Sequence, residues 1–223
     1  MAFLAEPGIK WPIAWKVPSF RWKSWVGLSI LVLILISFPV FFRTIQDRNG
    51  RQFSDFLLIW LPSYNVSIFV FLFIWACCAL LLVRIIKDPL MFLDMLWAYN
   101  LITLVRMSFI GLISLNPPEG LIPLADPITN LFYGKDYITH DLFFSGHTTT
   151  VFLIFLCLKR RNDRVFALFA SASVGFLLLV QHVHYTADIL AAPVFTYAVY
   201  RLIKVFTRPE YQAVNDSGQQ FKG

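Results

Sequence analysis

Along this chain apolar residues do not alternate with polar ones; they come in long, nearly unbroken runs separated by short polar segments. Runs of that kind predict membrane-crossing helices, because a span needs roughly 20 mostly apolar residues and backbone in lipid must satisfy its own hydrogen bonds. Six spans are expected, over residues 26–42, 66–83, 90–115, 143–158, 165–181 and 188–206. The stretch 56–62 is apolar but too short to cross, and Pro62 closes it, so it is expected to lie in the interface or to re-enter partway. The predicted fold class is all-α, a polytopic bundle of six transmembrane helices. It divides into an interfacial basic and aromatic segment (1–25), a membrane domain carrying the chemistry (26–206) and a flexible cytoplasmic tail (207–223).

Composition agrees with the pattern. Of 223 residues, 58% are hydrophobic, 17% aromatic and only 14% charged, which excludes an ordinary water-soluble domain. Cys77, Cys78 and Cys157 lie inside apolar runs, so neither a disulfide framework nor a metal site of the CxxC type is expected, and no metal or cofactor is required. The net charge of +6 does not point to nucleic acid, because the basic residues sit in clusters between the runs. Alternating spans sort the nineteen Lys and Arg into fourteen on one side and five on the other. The side richer in basic residues is expected to be cytoplasmic and to hold both termini. The loops 43–55, 116–141 and 181–185 then face outward, and the segment before residue 26, lacking small residues after its apolar core, reads as an uncleaved anchor.

All four histidines fall in two windows, Thr139–Thr148 (His140, His147) and His182–Asp188 (His182, His184). The topology carries both windows to the outer ends of helices. His184 and Asp188 are four apart, the spacing that stacks two side chains on one helical face and lets a carboxylate hold the ring Nδ1 hydrogen. An imidazole held that way keeps Nε2 free as nucleophile or base, and the carboxylate stabilises the imidazolium that forms. His147 can serve as the second proton-transfer group. Arg106, in the latter half of the third span, demands an anionic partner, and a phosphodiester suits its fork. The helix start at Ser145 and Gly146 offers backbone amides to the same phosphoryl oxygens. Lys135 is a looser candidate for that role, and Asp141, Tyr185 and Thr186 are candidate supporting residues. The competing reading of His184 and Asp188 is a buried structural ion pair. His140 and His182 are expected to be ordinary loop residues, and Asp94 to bond a neighbouring helix.

The motifs Phe144-Ser145-Gly146-His147-Thr148 and His184-Tyr185-Thr186-Ala187-Asp188, preceded by Arg106 and by Leu115-Asn116-Pro117-Pro118, resemble those of the sphingomyelin synthase family. That group includes the plant phosphatidylcholine:diacylglycerol cholinephosphotransferases and is related to the type 2 phosphatidic acid phosphatases. The resemblance covers about residues 106–193. It implies that His184, polarised by Asp188, attacks a lipid phosphorus while His147 assists the leaving and incoming alcohols. The KxxxxxxRP motif of the wider superfamily is not found before Arg106, which favours the synthase branch. The expected activity is transfer of a phosphocholine- or phosphoethanolamine-type head group from a phospholipid to diacylglycerol or ceramide. A lipid phosphate phosphatase using water, and a non-catalytic transporter or scaffold, are the alternatives.

Overall fold

The computed structural model describes residues 11–124 and 139–220, with side chains described as far as Asp216. Among them are eight α-helices: α1 (Trp11–Ala14), α2 (Pro18–Gln46), α3 (Phe56–Trp60), α4 (Ser67–Ile85), α5 (Pro89–Leu112), α6 (Gly146–Cys157), α7 (Arg161–Val180) and α8 (Thr186–Gln220). The described residues hold no strand, only an isolated bridge between Arg51 and Leu115. Several starts follow local chemistry. Asp88 caps α5 by accepting the Met91 amide (3.0 Å), with Pro89 at the first helical position, where its missing N–H costs nothing.

Five helices, α2, α4, α5, α7 and α8, are long and apolar enough to cross a membrane, the composition of an integral membrane protein. The fourth expected span is shorter than the apolar run: α6 has twelve residues, about 18 Å of helix against a hydrocarbon core of roughly 30 Å. It starts only at Gly146 because the preceding residues are held outside the helix. Asp141 and the Phe144 carbonyl engage Arg106, and Ser145 acts as the N-cap.

The expected boundaries also move at both ends of the chain. Helix α2 begins at Pro18, so much of the segment expected to lie along the interface is helical and packed, with Phe20 fully buried. The stretch from residue 207 on, expected as a flexible tail, continues α8 to Gln220. Its first turns stay ordered because they bury polar partners. Glu210 takes the Lys23 ammonium of α2 at 2.8 Å, and Asp94 of α5 accepts from Lys204 (2.8 Å), Thr207 (2.6 Å) and Tyr211 (2.5 Å).

Helices α4 to α8 enclose the main apolar core, and α2 packs on the outside against α5. Asn100 donates to the Gly27 carbonyl (2.8 Å) and Trp97 to the Lys23 carbonyl (3.2 Å), fixing α2 on α5. A methyl group on Gly27 would approach Leu96 to 2.7 Å, so glycine allows this contact. The bundle has two chemically different ends. One holds the Lys23–Glu210, Asp88–Lys159 and Arg84–Asp163 pairs and the Asp94 cluster. At the other meet the last turn of α5, the starts of α6 and α8, and the strap from residue 47 to 62 that contains α3. The two histidine windows lie at this second end.

Candidate active site

The site is built on the starts of two helices. At α8, Tyr185 precedes the first helical residue and Asp188 is the third, so the Asp188 carboxylate reaches back to the Tyr185 amide (Oδ2–N 3.1 Å). This is the acidic half of a capping box. The same oxygen lies 3.4 Å from His184 Nδ1, and both residues are buried. The four-residue spacing therefore pairs the two groups across a helix start and not on a helical face as expected, because His184 lies before α8 begins. A separation of 3.4 Å is long for a hydrogen bond, as catalytic contacts without substrate often are. Nε2 of His184 carries no hydrogen bond among the described residues.

The second helix start is fastened to the first through backbone: the Ser145 amide donates to the Asp188 carbonyl at 3.3 Å. Ser145 is fully buried; its amide makes this joint and its hydroxyl accepts the Thr148 amide at 3.4 Å as the N-cap of α6. Gly146 opens α6. A Cβ there would sit 2.7 Å from Arg106 Cζ, so the guanidinium rests directly on the first turn of the helix. That superposes a fixed cation on the positive end of a helix dipole. Arg106 is held by the Phe144 carbonyl (Nε–O 2.6 Å) and by Asp141 (Nη2–Oδ1 2.5 Å). Its Nη1 edge makes no hydrogen bond among the described residues. His147, half-buried in the first turn of α6, meets Phe71 of α4 edge to face at 6.1 Å between ring centres. Lys135 lies outside the described residues.

Tyr185 and Thr186 face the strap. The Tyr185 hydroxyl donates to the Asn116 carbonyl (2.9 Å) and accepts the Phe53 amide (3.3 Å), and burial pushes its phenol above its ordinary value. Thr186 donates both its amide (2.6 Å) and its hydroxyl (2.9 Å) to Asp55, a residue the sequence reading passed over. Partial burial pushes the Asp55 carboxyl up. Bonds from Thr186 and from the Leu57 and Leu58 amides outweigh that and hold it below the ordinary carboxylate range. A cavity of about 540 Å³ lies at the strap and the helix start, lined by Phe53–Phe56 and Tyr185–Asp188 together with Ile113, Leu115 and Phe143. His182 also departs from the expected plain loop residue. It is buried with a φ of 55°, and its ring nitrogens lie 2.8 Å from the carbonyls of Glu119 and Leu61. A carbonyl only accepts, so both contacts are hydrogen bonds when both ring nitrogens carry hydrogen.

An imidazole backed by a buried carboxylate, a cation on a helix start and an adjoining cavity together define a membrane-type helical protein equipped to handle an anionic ester. A family model described as PAP2 superfamily C-terminal matches residues 140–205, a stretch that contains all four histidines. This supports a relation to the type 2 phosphatidic acid phosphatases and points to lipid phosphatase or phosphotransferase chemistry. No curated protein matches the chain.

Proposed function

We propose that the protein is a lipid head-group phosphotransferase of the sphingomyelin synthase type, taking a phosphocholine- or phosphoethanolamine-type group from a phospholipid and giving it to diacylglycerol or ceramide. In the first step His184 Nε2 bonds to phosphorus as the bond to the diacylglycerol oxygen breaks, and His147 protonates the departing alkoxide. In the second, the acceptor hydroxyl passes its proton to His147, its oxygen bonds to phosphorus and the P–N bond breaks. Asp188 holds the His184 tautomer and stabilises the charged ring. Arg106 and the start of α6 receive the charge that builds on the phosphoryl oxygens. The termini are cytoplasmic and the site opens on the extracytoplasmic side, a reading supported by the fourteen-to-five division of Lys and Arg.

The observation that carries this reading is the double use of Asp188. Its carboxylate faces His184 and its carbonyl takes the Ser145 amide, so the two histidine windows are joined through one residue. Hydrolysis to a free head-group phosphate is the second reading, favoured by the family whose model matches. Incubating purified protein with head-group-labelled phosphatidylcholine or phosphatidylethanolamine, with and without diacylglycerol, separates the two. Label on a new lipid is the expected result; label released to water in both conditions replaces the transferase reading with the phosphatase one, and no label movement removes both.

A further inference from the structure

The strap approaches the site from far away in sequence and meets it at Phe53, whose amide the Tyr185 hydroxyl accepts, and at Asp55, which makes the densest set of bonds. Asp55 Oδ2 accepts the Thr186 amide at 2.6 Å, and Oδ1 accepts both the Thr186 hydroxyl (2.9 Å) and the Leu57 amide (3.0 Å). One carboxylate thus caps two helices at once, the short α3 and the long α8 that carries Asp188. Behind it Leu58 is buried against Leu115, Leu142 and Tyr185, while Phe56, Ile59 and Trp60 are at least 71% exposed. The strap therefore has an inner face anchored on the site and an outer apolar face of the kind that lies in a membrane interface. Phe53 to Phe56 and Tyr185 to Asp188 both line the 540 Å³ cavity, with Ile113, Leu115 and Phe143. Asp55 is the charged link between the two segments, beside the Phe53–Tyr185 hydrogen bond.

We infer that Asp55 is a positioning residue that decides the acceptor. By latching the strap to Thr186 it keeps the cavity that Asp188 lines shaped to take a lipid alcohol in preference to bulk water. The inference rests on the transferase reading above. Once the head-group phosphate is on His184 Nε2, the P–N bond can break toward a lipid hydroxyl or toward water, and in each case the acceptor's proton passes to His147. Nothing in the chemistry of that step prefers the lipid; the preference comes from which acceptor occupies the cavity. A loosened strap admits water to the same phosphorus.

The test uses the full chain in nanodiscs with two readouts. The first is hydrogen exchange at the Thr186 amide, which needs no turnover: D55A is expected to exchange at least about tenfold faster than wild type. The second is the division of label from head-group-labelled phosphatidylcholine between diacylglycerol and water. D55A is expected to move that ratio toward water by about tenfold and T186V by about threefold, with T186S, which keeps the hydroxyl, behaving as wild type. Unchanged exchange in D55A overturns the latch, whatever the turnover. Faster exchange with a wild-type ratio, even at lower total turnover or lower Tm, overturns the choice of acceptor and leaves Asp55 a structural cap. Label movement that survives in H184A, or none in wild type, instead removes the catalytic reading and with it the acceptor role, and the exchange result still decides the latch.

Discussion

Each end of the bundle buries a carboxylate, and the two are used differently. Asp94, at the end rich in Lys and Arg, accepts from the Lys204 ammonium and from the hydroxyls of Thr207 and Tyr211, all on α8. Asp188, at the other end, accepts a backbone amide and faces an imidazole whose second nitrogen has no hydrogen-bond partner among the described residues. The first network closes on itself and holds α8 to α5. The second is left open at one atom, and its carboxylate residue lines a cavity. Burying a polar group costs free energy unless it is paired, so an open position next to a carboxylate marks where an external group belongs.

The comparison breaks most sharply at His184. H184A should lower head-group turnover at least about a thousandfold and D188N by a similar factor, each with Tm moved by little more than a lost cap allows, about 1 kcal/mol. Label-transfer assays paired with thermal melts in detergent measure both. The opposite signature belongs to D94N, which weakens the acceptor shared by Lys204, Thr207 and Tyr211 and should destabilise the protein by about 1–3 kcal/mol while the folded fraction keeps its specific activity. If D94N instead spares stability and removes turnover, the two ends have been assigned the wrong way round. G146A places a methyl group where Arg106 Cζ now rests. It should lower kcat/KM about 10- to 100-fold by lifting the guanidinium off α6, again with little change in Tm. H182A leaves the Glu119 and Leu61 carbonyls without their donors and should cost about 1–3 kcal/mol in chemical unfolding.

The smallest effect is one of pH. The Asp55 carboxyl is held below its ordinary value, so the stabilisation it brings is complete above the unfolded carboxylate pKa and is lost only as pH falls through the still lower folded value. Protection of the Thr186 amide, corrected for intrinsic exchange, should stay constant from about pH 8 to pH 5 and disappear only below about pH 4. A loss of protection near pH 6 would mean that some group other than Asp55 holds the latch.

Much of the site was legible because its residues lie in two compact windows with unusual composition. Concentrating every histidine in Thr139–Thr148 and His182–Asp188 is a local signal, and so is the spacing of His184 and Asp188. Asp55 gave only half of its signal. An aspartate immediately before an apolar stretch is an N-cap pattern, and it does cap α3. Its bonds to Thr186 join residues 131 apart, and no periodicity reports such a contact. His182 was missed for the same reason, since its acceptors are loop carbonyls 63 and 121 residues away. The helical continuation past residue 206 was readable in principle: Thr207, Glu210, Tyr211 and Val214 recur at helical spacing. Pro209 lies inside this helix, which tolerates it where neighbouring elements hold it in place, as they do here through Lys23 and Asp94. The length of α6 could not be read from hydropathy, because the apolar run includes Phe143 and Phe144, which lie before the helix, the Phe144 carbonyl serving Arg106 instead.

The twelve residues of α6 carry a mechanical consequence. Arg106 lies six residues before the end of α5, about 9 Å below that end at 1.5 Å per residue, and α6 begins at the same level. On the proposed function, and with the end of α5 at the leaflet surface, a lipid presenting its phosphorus there sinks below its neighbours and the surrounding leaflet dimples to follow it. Hydrophobic mismatch then sets part of the cost of each encounter. Turnover should rise in bilayers of short-chain lipids and fall as the host membrane thickens, with the protein's own fold unchanged.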